Sequence, residues 1–312
     1  MDNIAVRTIL PIFILMGLGF FSRKVGVLRS GDERVFSSYV YYFALPALLL
    51  INLAKTNFTG ETLRFMLAGA IPTLIAVIFY WIIMAIFKFS KDTLYLLILS
   101  TVFGSTAFFG IPFIMFAFPT DQSEQLAILS VASISPVSVT IAITTLELYK
   151  LGKTTIWKGL KQVLKRLSIN PLIISILSGI LIALMGVEIP VPLSTSLHML
   201  GSTTAIVAIF MLGVFLYGRK YINIIKAFEL SFLRIVFLPI VALLTIRLFD
   251  LPVIERTVLV LMHSMPVAIS MIILSERYGF YKDTISSLIL FSSIGAGIYL
   301  NLWLLVLGYG MN

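Results

Sequence analysis

Apolar residues run through this chain in long blocks separated by short polar stretches, and the blocks define its elements. A helix needs about 20 apolar residues to cross the hydrocarbon of a bilayer. Ten blocks approach or exceed that length: residues 4–22, 35–55, 62–87, 93–118, 125–149, 170–187, 194–217, 231–249, 254–276 and 284–308. Several carry serine, threonine or asparagine inside them, so they are more than lipid-facing anchors. A spanning segment must satisfy its backbone internally, which leaves the helix as the form for such blocks. The pattern predicts an all-α polytopic membrane protein of ten transmembrane helices in one bundle.

Composition agrees. The 312 residues are 59% hydrophobic and 12% charged, with mean hydropathy +1.06. A soluble domain of this length needs far more polar surface. There is no cysteine and there are two histidines, His198 and His263. Disulfides and thiolate metal sites are excluded, and a catalytic metal cluster has too few ligands. No cofactor, metal or enzymatic centre is expected. The net charge is +9, but the cations lie between the apolar blocks instead of along one solvated face. They therefore read as topology signals, not as a nucleic-acid surface.

Of the 23 Lys and Arg, 18 fall in or beside the loops after blocks 1, 3, 5, 7 and 9. Arg219, Lys220, Lys226 and Arg234 make up the share of the loop after block 7. The positive-inside rule predicts these loops in the cytoplasm and both termini outside, and a plasma (inner) membrane is expected. The longest loop, at 150–170, repeats apolar residues at helical spacing from Ile156 to Leu167, with lysines opposite. It predicts an amphipathic helix on the cytoplasmic leaflet.

Five blocks precede this loop and five follow it. The expected division is a first five-helix repeat at 1–149, a basic linker at 150–169 and a second repeat at 170–312. An odd-numbered repeat must be inverted in the membrane, as in many secondary transporters. Matching features support it: Pro11 with Pro171, Pro72 with Pro239, FFGIPF of block 4 with HSMPVA of block 9, and SISPVS with SSIGAG. Gly110 and Pro112 interrupt the apolar stretch STAFFGIPFIMFAF, and Pro266 interrupts block 9. Proline removes an N–H and clashes with the preceding turn. Matched breaks in blocks 4 and 9 predict two discontinuous helices that cross, with half-helix N-termini suited to an anion.

The sequence also resembles the auxin efflux carrier family, within the bile acid/sodium symporter-like superfamily. The stretches that carry the resemblance are FALPALLLINLA at 43–54, SINPLIISILSGILIALMGVEIPVPL at 168–193 and MPVAISMIILSERYGFYKDTISSLILFSSI at 265–294. The resemblance implies a scaffold domain, a crossover transport domain, elevator-like alternating access and an organic anion as cargo. Plant members read Asn-Pro-Asn-Thr-Tyr where this chain has Asn170-Pro171-Leu172-Ile173-Ile174, and many carry a long cytoplasmic loop where this chain has about twenty residues. A bacterial, PIN-like carrier is therefore expected. The resemblance allows a homodimer.

The function expected is secondary transport of a small carboxylate or auxin-like anion at the crossover. Candidate binding residues are the polar and break-forming ones deep in the blocks: Asn52, Ser105, Thr106, Gly110, Pro112, Ser133, Ser135, His263, Ser264, Pro266 and Asn301. Hydroxyls and amides can bind a carboxylate without adding charge. His263 can also switch charge near neutral pH. Acidic residues sit at block ends, which fits an anionic cargo. The coupling ion, proton or sodium, is open. The alternatives are a sodium-coupled symporter of the bile-acid-carrier type, with Thr101, Ser105, Ser133 and Ser135 as oxygen ligands, and a non-transporting membrane receptor or scaffold.

Overall fold

A computed structural model describes residues 4–151, 156–218 and 221–309. Those residues form helices joined by short turns; their β-structure is one isolated bridge. In chain order the helices are α1 (Ile4–Lys24), α2 (Glu33–Tyr39), α3 (Leu45–Ala54), α4 (Gly60–Phe87), α5 (Lys91–Val102), α6 (Ile111–Ala117), α7 (Asp121–Leu151) and α8 (Ile156–Ser168). They continue with α9 (Pro171–Met185), α10 (Val191–Ser202), α11 (Thr204–Leu216), α12 (Ile224–Phe232), α13 (Leu238–Ile246), α14 (Val253–His263), α15 (Ser270–Tyr278) and α16 (Lys282–Val306). Among the described residues six helical stretches are long and apolar enough to cross a bilayer: Glu33–Ala54, Gly60–Phe87, Asp121–Lys150, Val191–Leu216, Ile224–Phe249 and Lys282–Val306. The other four expected blocks are helical as well, as α1, α5 with α6, α9, and α14 with α15. The predicted linker helix is α8, which meets α9 at a bend of 64°. Residues 152–155 of the expected linker lie outside the described residues.

The helix starts follow local chemistry. Thr59 and Thr62 form a reciprocal cap on α4, Ser90 caps α5, and Asn170 accepts from Leu172 and Ile173 ahead of Pro171 on α9. Three π turns occur among the described residues, at Val40–Ala44, Thr106–Gly110 and Leu233–Phe237. Each is followed two residues later by a proline: Pro46, Pro112 and Pro239. In each case the residue before the proline donates five residues back: Leu45 to Val40, Ile111 to Thr106, Leu238 to Leu233. Proline cannot supply the ordinary bond, and the widened turn absorbs its ring. Pro112 thus sits within the first turn of a helix and does not break the chain. The break expected at Gly110–Pro112 lies instead at Phe103–Ser105. The second break, at Ser264–Ile269, does contain Pro266.

The helices pack in two groups. One comprises α1, α2, α3, α9, α10 and α11; the other α4, α5, α7, α8 and α12 to α16, with α6 packed against both α1 and α7. Glycines set the closest approaches. A Cβ on Gly19 would strike the carbonyl of Phe210, and one on Gly213 the carbonyl of Met16, so α1 and α11 touch backbone to backbone. Gly179 and Gly201 bring α9 and α10 onto the backbone of α3 in the same way. Outward faces are apolar: Leu10, Ile14, Leu18 and Phe21 on α1, Ile174, Leu177, Leu181 and Leu184 on α9, and Ile294, Ile298, Leu302 and Leu305 on α16 are all exposed. Such stripes are stable against lipid and not against water.

Gly213→Leu must force α1 from α11. Overpacking costs about 1–3 kcal/mol, so the thermal midpoint in detergent, followed by tryptophan fluorescence, should fall by about 3 °C or more. An unchanged midpoint would show that the helices do not meet there.

Candidate functional site

The two breaks meet. The N–H of Ser105 donates to the carbonyl of Pro266 at 2.7 Å, and the N–H of Ala268 donates to the carbonyl of Phe103 at 3.0 Å. Gly104 and Val267 face each other as an antiparallel bridge. Val267 N–H donates to Ser292 Oγ of α16 at 3.1 Å. Irregular backbone is thereby paired by protein, which is the condition for its burial in hydrocarbon. α5 has 12 residues and α14 has 11 before they stop. At about 1.5 Å per residue each covers roughly half of a bilayer core about 30 Å thick.

Helices α5 and α14 arrive at the crossing with their C-terminal, electronegative ends; the turn leading to α6 and helix α15 leave it with N-terminal, electropositive ones. Arg234 stands at the first pair. It belongs to the π turn between α12 and α13, and its side chain is fully buried. Nε donates to Met265 O at 2.7 Å, and Nη1 to Thr101 O at 2.7 Å and Val102 O at 3.4 Å. Nη2 is buried without a hydrogen-bond partner. It lies where a Cβ of residue 104 would be, which makes glycine necessary there. Among the described residues no carboxylate pairs with Arg234; the two ion pairs are Arg23–Glu33 and Arg166–Glu147.

The sequence reading missed this residue by counting Arg234 among the loop cations. The span that holds it begins at Ile224, not near 231, so Arg234 lies nearly three turns inside it. Its signal was SFLRIVFLP, a lone cation among apolar residues.

The expected candidates are distributed unevenly. Ser105 and Pro266 join the breaks through their backbones. Thr106 Oγ1 lies 3.2 Å from Ser135 Oγ on α7. Gly110 is covered by Met262 and Met265, whose sulfur and Cγ a Cβ would crowd. Ser264 bonds back to Val260 O, and Ser133 to Ser130 O, with Ser133 also packed against Gly69. His263 is fully buried and its Nε2 is 2.9 Å from Gly69 O of α4. A carbonyl only accepts, so Nε2 carries the proton; Nδ1 has no partner. Asn52 and Asn301 are not brought to the crossing by any hydrogen bond. They donate to Leu48 O and Gly297 O within their own helices.

Two further polar features flank the crossing. A cleft of about 470 Å³ is lined by Arg23, Arg34, Lys282, Glu33, Asp283 and Ser286, and reaches Ile272, within the first turn of α15. Near the far end of α15, Tyr278 donates to Glu147 Oε1 at 2.6 Å, while Arg166 of α8 pairs with the same oxygen at 2.9 Å and lies over the Tyr278 ring.

The match to known proteins can be placed on this geometry. The family model described as membrane transport protein covers residues 4–304. The chain belongs to that family, the auxin efflux carriers. Among its relatives, the uncharacterized transporter MJ1031 of Methanocaldococcus jannaschii is 26% identical over 308 residues, covering 96% of this chain and 98% of the relative. The uncharacterized transporter YfdV of Escherichia coli K12 is 24% identical over 311 residues, covering 96% and 97%. Membership makes this a multi-pass membrane transport protein.

His263→Ala should cost about 1–3 kcal/mol in thermal unfolding, since it opens a cavity and removes a buried hydrogen bond. His263→Gln, which keeps a donor for Gly69 O, should cost visibly less. Equal losses would mean that the bond to Gly69 is not what holds the ring.

Proposed function

We propose that this carrier is a secondary active transporter that moves a small organic anion, such as a carboxylate, across the plasma membrane. The anion binds where the two broken spans cross, and access alternates by an elevator-type movement. The observation that carries the reading is the pairing of the Phe103–Ser105 and Ser264–Ile269 breaks at a buried centre. It brings half-helix N-termini, which attract anions, to one place. The absence of a carboxylate beside Arg234, among the described residues, favours an anion over a cation.

In this reading ten spans form two inverted five-helix repeats, at 1–149 and 170–312. The group containing α1, α3 and α9 to α11 is the scaffold, and the group containing both breaks is the part that moves. The basic loops lie in the cytoplasm with both termini outside. The cleft at Ile272 is then a cytoplasmic approach whose Arg23, Arg34 and Lys282 outnumber Glu33 and Asp283, a balance that draws anions in. A sodium-coupled mode of the bile-acid-carrier type has less support. The Thr101 and Met265 carbonyls, which a sodium ion would seek, are held by Arg234.

A ligand of the native state raises stability by mass action, by about 2.7 kcal/mol at a hundred times its Kd. Purified protein screened against small carboxylates, with and without sodium, at pH 5.5 and 7.5, should show a raised thermal midpoint with at least one carboxylate and no requirement for sodium. Stabilisation by cationic or neutral solutes alone would contradict the reading. A strict sodium requirement would favour the symporter.

A further inference from the structure

We propose that Arg234 is the fixed countercharge for the cargo and that it selects a ligand bearing one carboxylate. The inference rests on the anion-carrier reading above and adds to it the residue and the charge that set specificity.

An arginine side chain presents five N–H donors in a planar fork. Here the fork is divided. Nη1 satisfies carbonyls at the end of α5 and Nε one in the second break, and these bonds fix the plane of the group. Nη2 is buried and unpartnered at Gly104, the residue that separates the end of α5 from the turn leading to α6. A buried charge without a counterion is expensive, and removal of its hydration is repaid only by close partners. Neutral carbonyls repay part of that cost and leave a net charge of one at the crossing. A carboxylate placed against Nη2 and the N–H groups that open the next half-helix completes the set. One carboxylate neutralises the site. A second would be an unpaired anion in a buried region, beside the buried Phe103 and Met265. Gly104 is part of the device, because any side chain there collides with the guanidinium.

Binding to detergent-purified protein can be measured with acetate, lactate and benzoate, with their amides as neutral isosteres, and with malonate. Wild type should bind one or more monocarboxylates and reject the matching amide and malonate. R234Q should weaken that monocarboxylate at least about tenfold, the scale of a lost charged hydrogen bond, and should lose the preference for acid over amide. R234K keeps the charge without the fork, so the preference should persist at reduced affinity. G104A keeps the charge but displaces the guanidinium, so it should weaken binding too; it decides the matter alone if R234Q does not fold. Monocarboxylate binding that is equal in wild type, R234Q and G104A would overturn the role of Arg234 while leaving the carrier reading intact. Malonate binding as tightly as a monocarboxylate would overturn the single-charge selection. Failure of wild type to bind any anion would overturn both.

Discussion

The guanidinium of Arg234, held by carbonyls at the end of α5 and in the second break, is the contact on which the centre of the molecule depends. Two helices stop inside an apolar bundle, and each stop frees carbonyls that water cannot reach. An unsatisfied buried polar group costs about 1–3 kcal/mol, so several together would undo the packing. The bridge between Gly104 and Val267 satisfies some of these groups. Arg234 takes Thr101, Val102 and Met265. Its positive charge also opposes the negative ends of α5 and α14. What the crossing then leaves unanswered is positive: one arginine nitrogen and the starts of two half-helices. On the proposed reading, a preference for an anion follows from the way the fold solves its own backbone problem.

The surroundings hold this arrangement in place without adding charge. Trp303 donates to Ile235 O and steadies the π turn that carries Arg234, Tyr80 reaches Thr101, and Tyr299 bonds to Ser292 O. Glycines bring α1 onto α11 and α3 onto α9 and α10, so the group without the breaks packs tightly within itself. At the basic end, Glu147 joins α7, α8 and α15 through Arg166 and Tyr278. The linker helix is thereby fastened to the group that contains the crossing.

Much of the helical plan was legible in the chain, because the apolar blocks are long and their boundaries are charged or capped. The positions of the breaks were only half legible. Pro266 does mark a break, since no helix continues through Ser264–Ile269. Gly110–Pro112 does not, because a π turn followed by proline in a first turn is a continuous solution. The true first break, Phe103-Gly104-Ser105, holds one glycine and no proline; it is set by pairing with a segment more than 150 residues away. Local propensity cannot express such a contact. Arg234 was hidden for a related reason. A cation near a block boundary satisfies the positive-inside rule, and its inward turn depends on carbonyls from two other helices. Ser105, Thr106, Ser135, His263 and Pro266 were legible as polar or breaking residues within apolar blocks. Their partners were not.

The central site exists only if the two breaks meet. The chain contains no cysteine, so a pair can be introduced without a background. Residues across an antiparallel pair lie within the Cα range that a disulfide spans. Phe103→Cys combined with Ala268→Cys should cross-link on mild oxidation in the membrane, read by mass spectrometry of the joined peptides. Phe103→Cys with Ile298→Cys, whose side chain lies on the exposed face of α16, should not. Cross-linking confined to the first pair is the predicted result. No link between 103 and 268, with both cysteines present and oxidant active, would mean that the broken helices do not cross and that the site described here is not built.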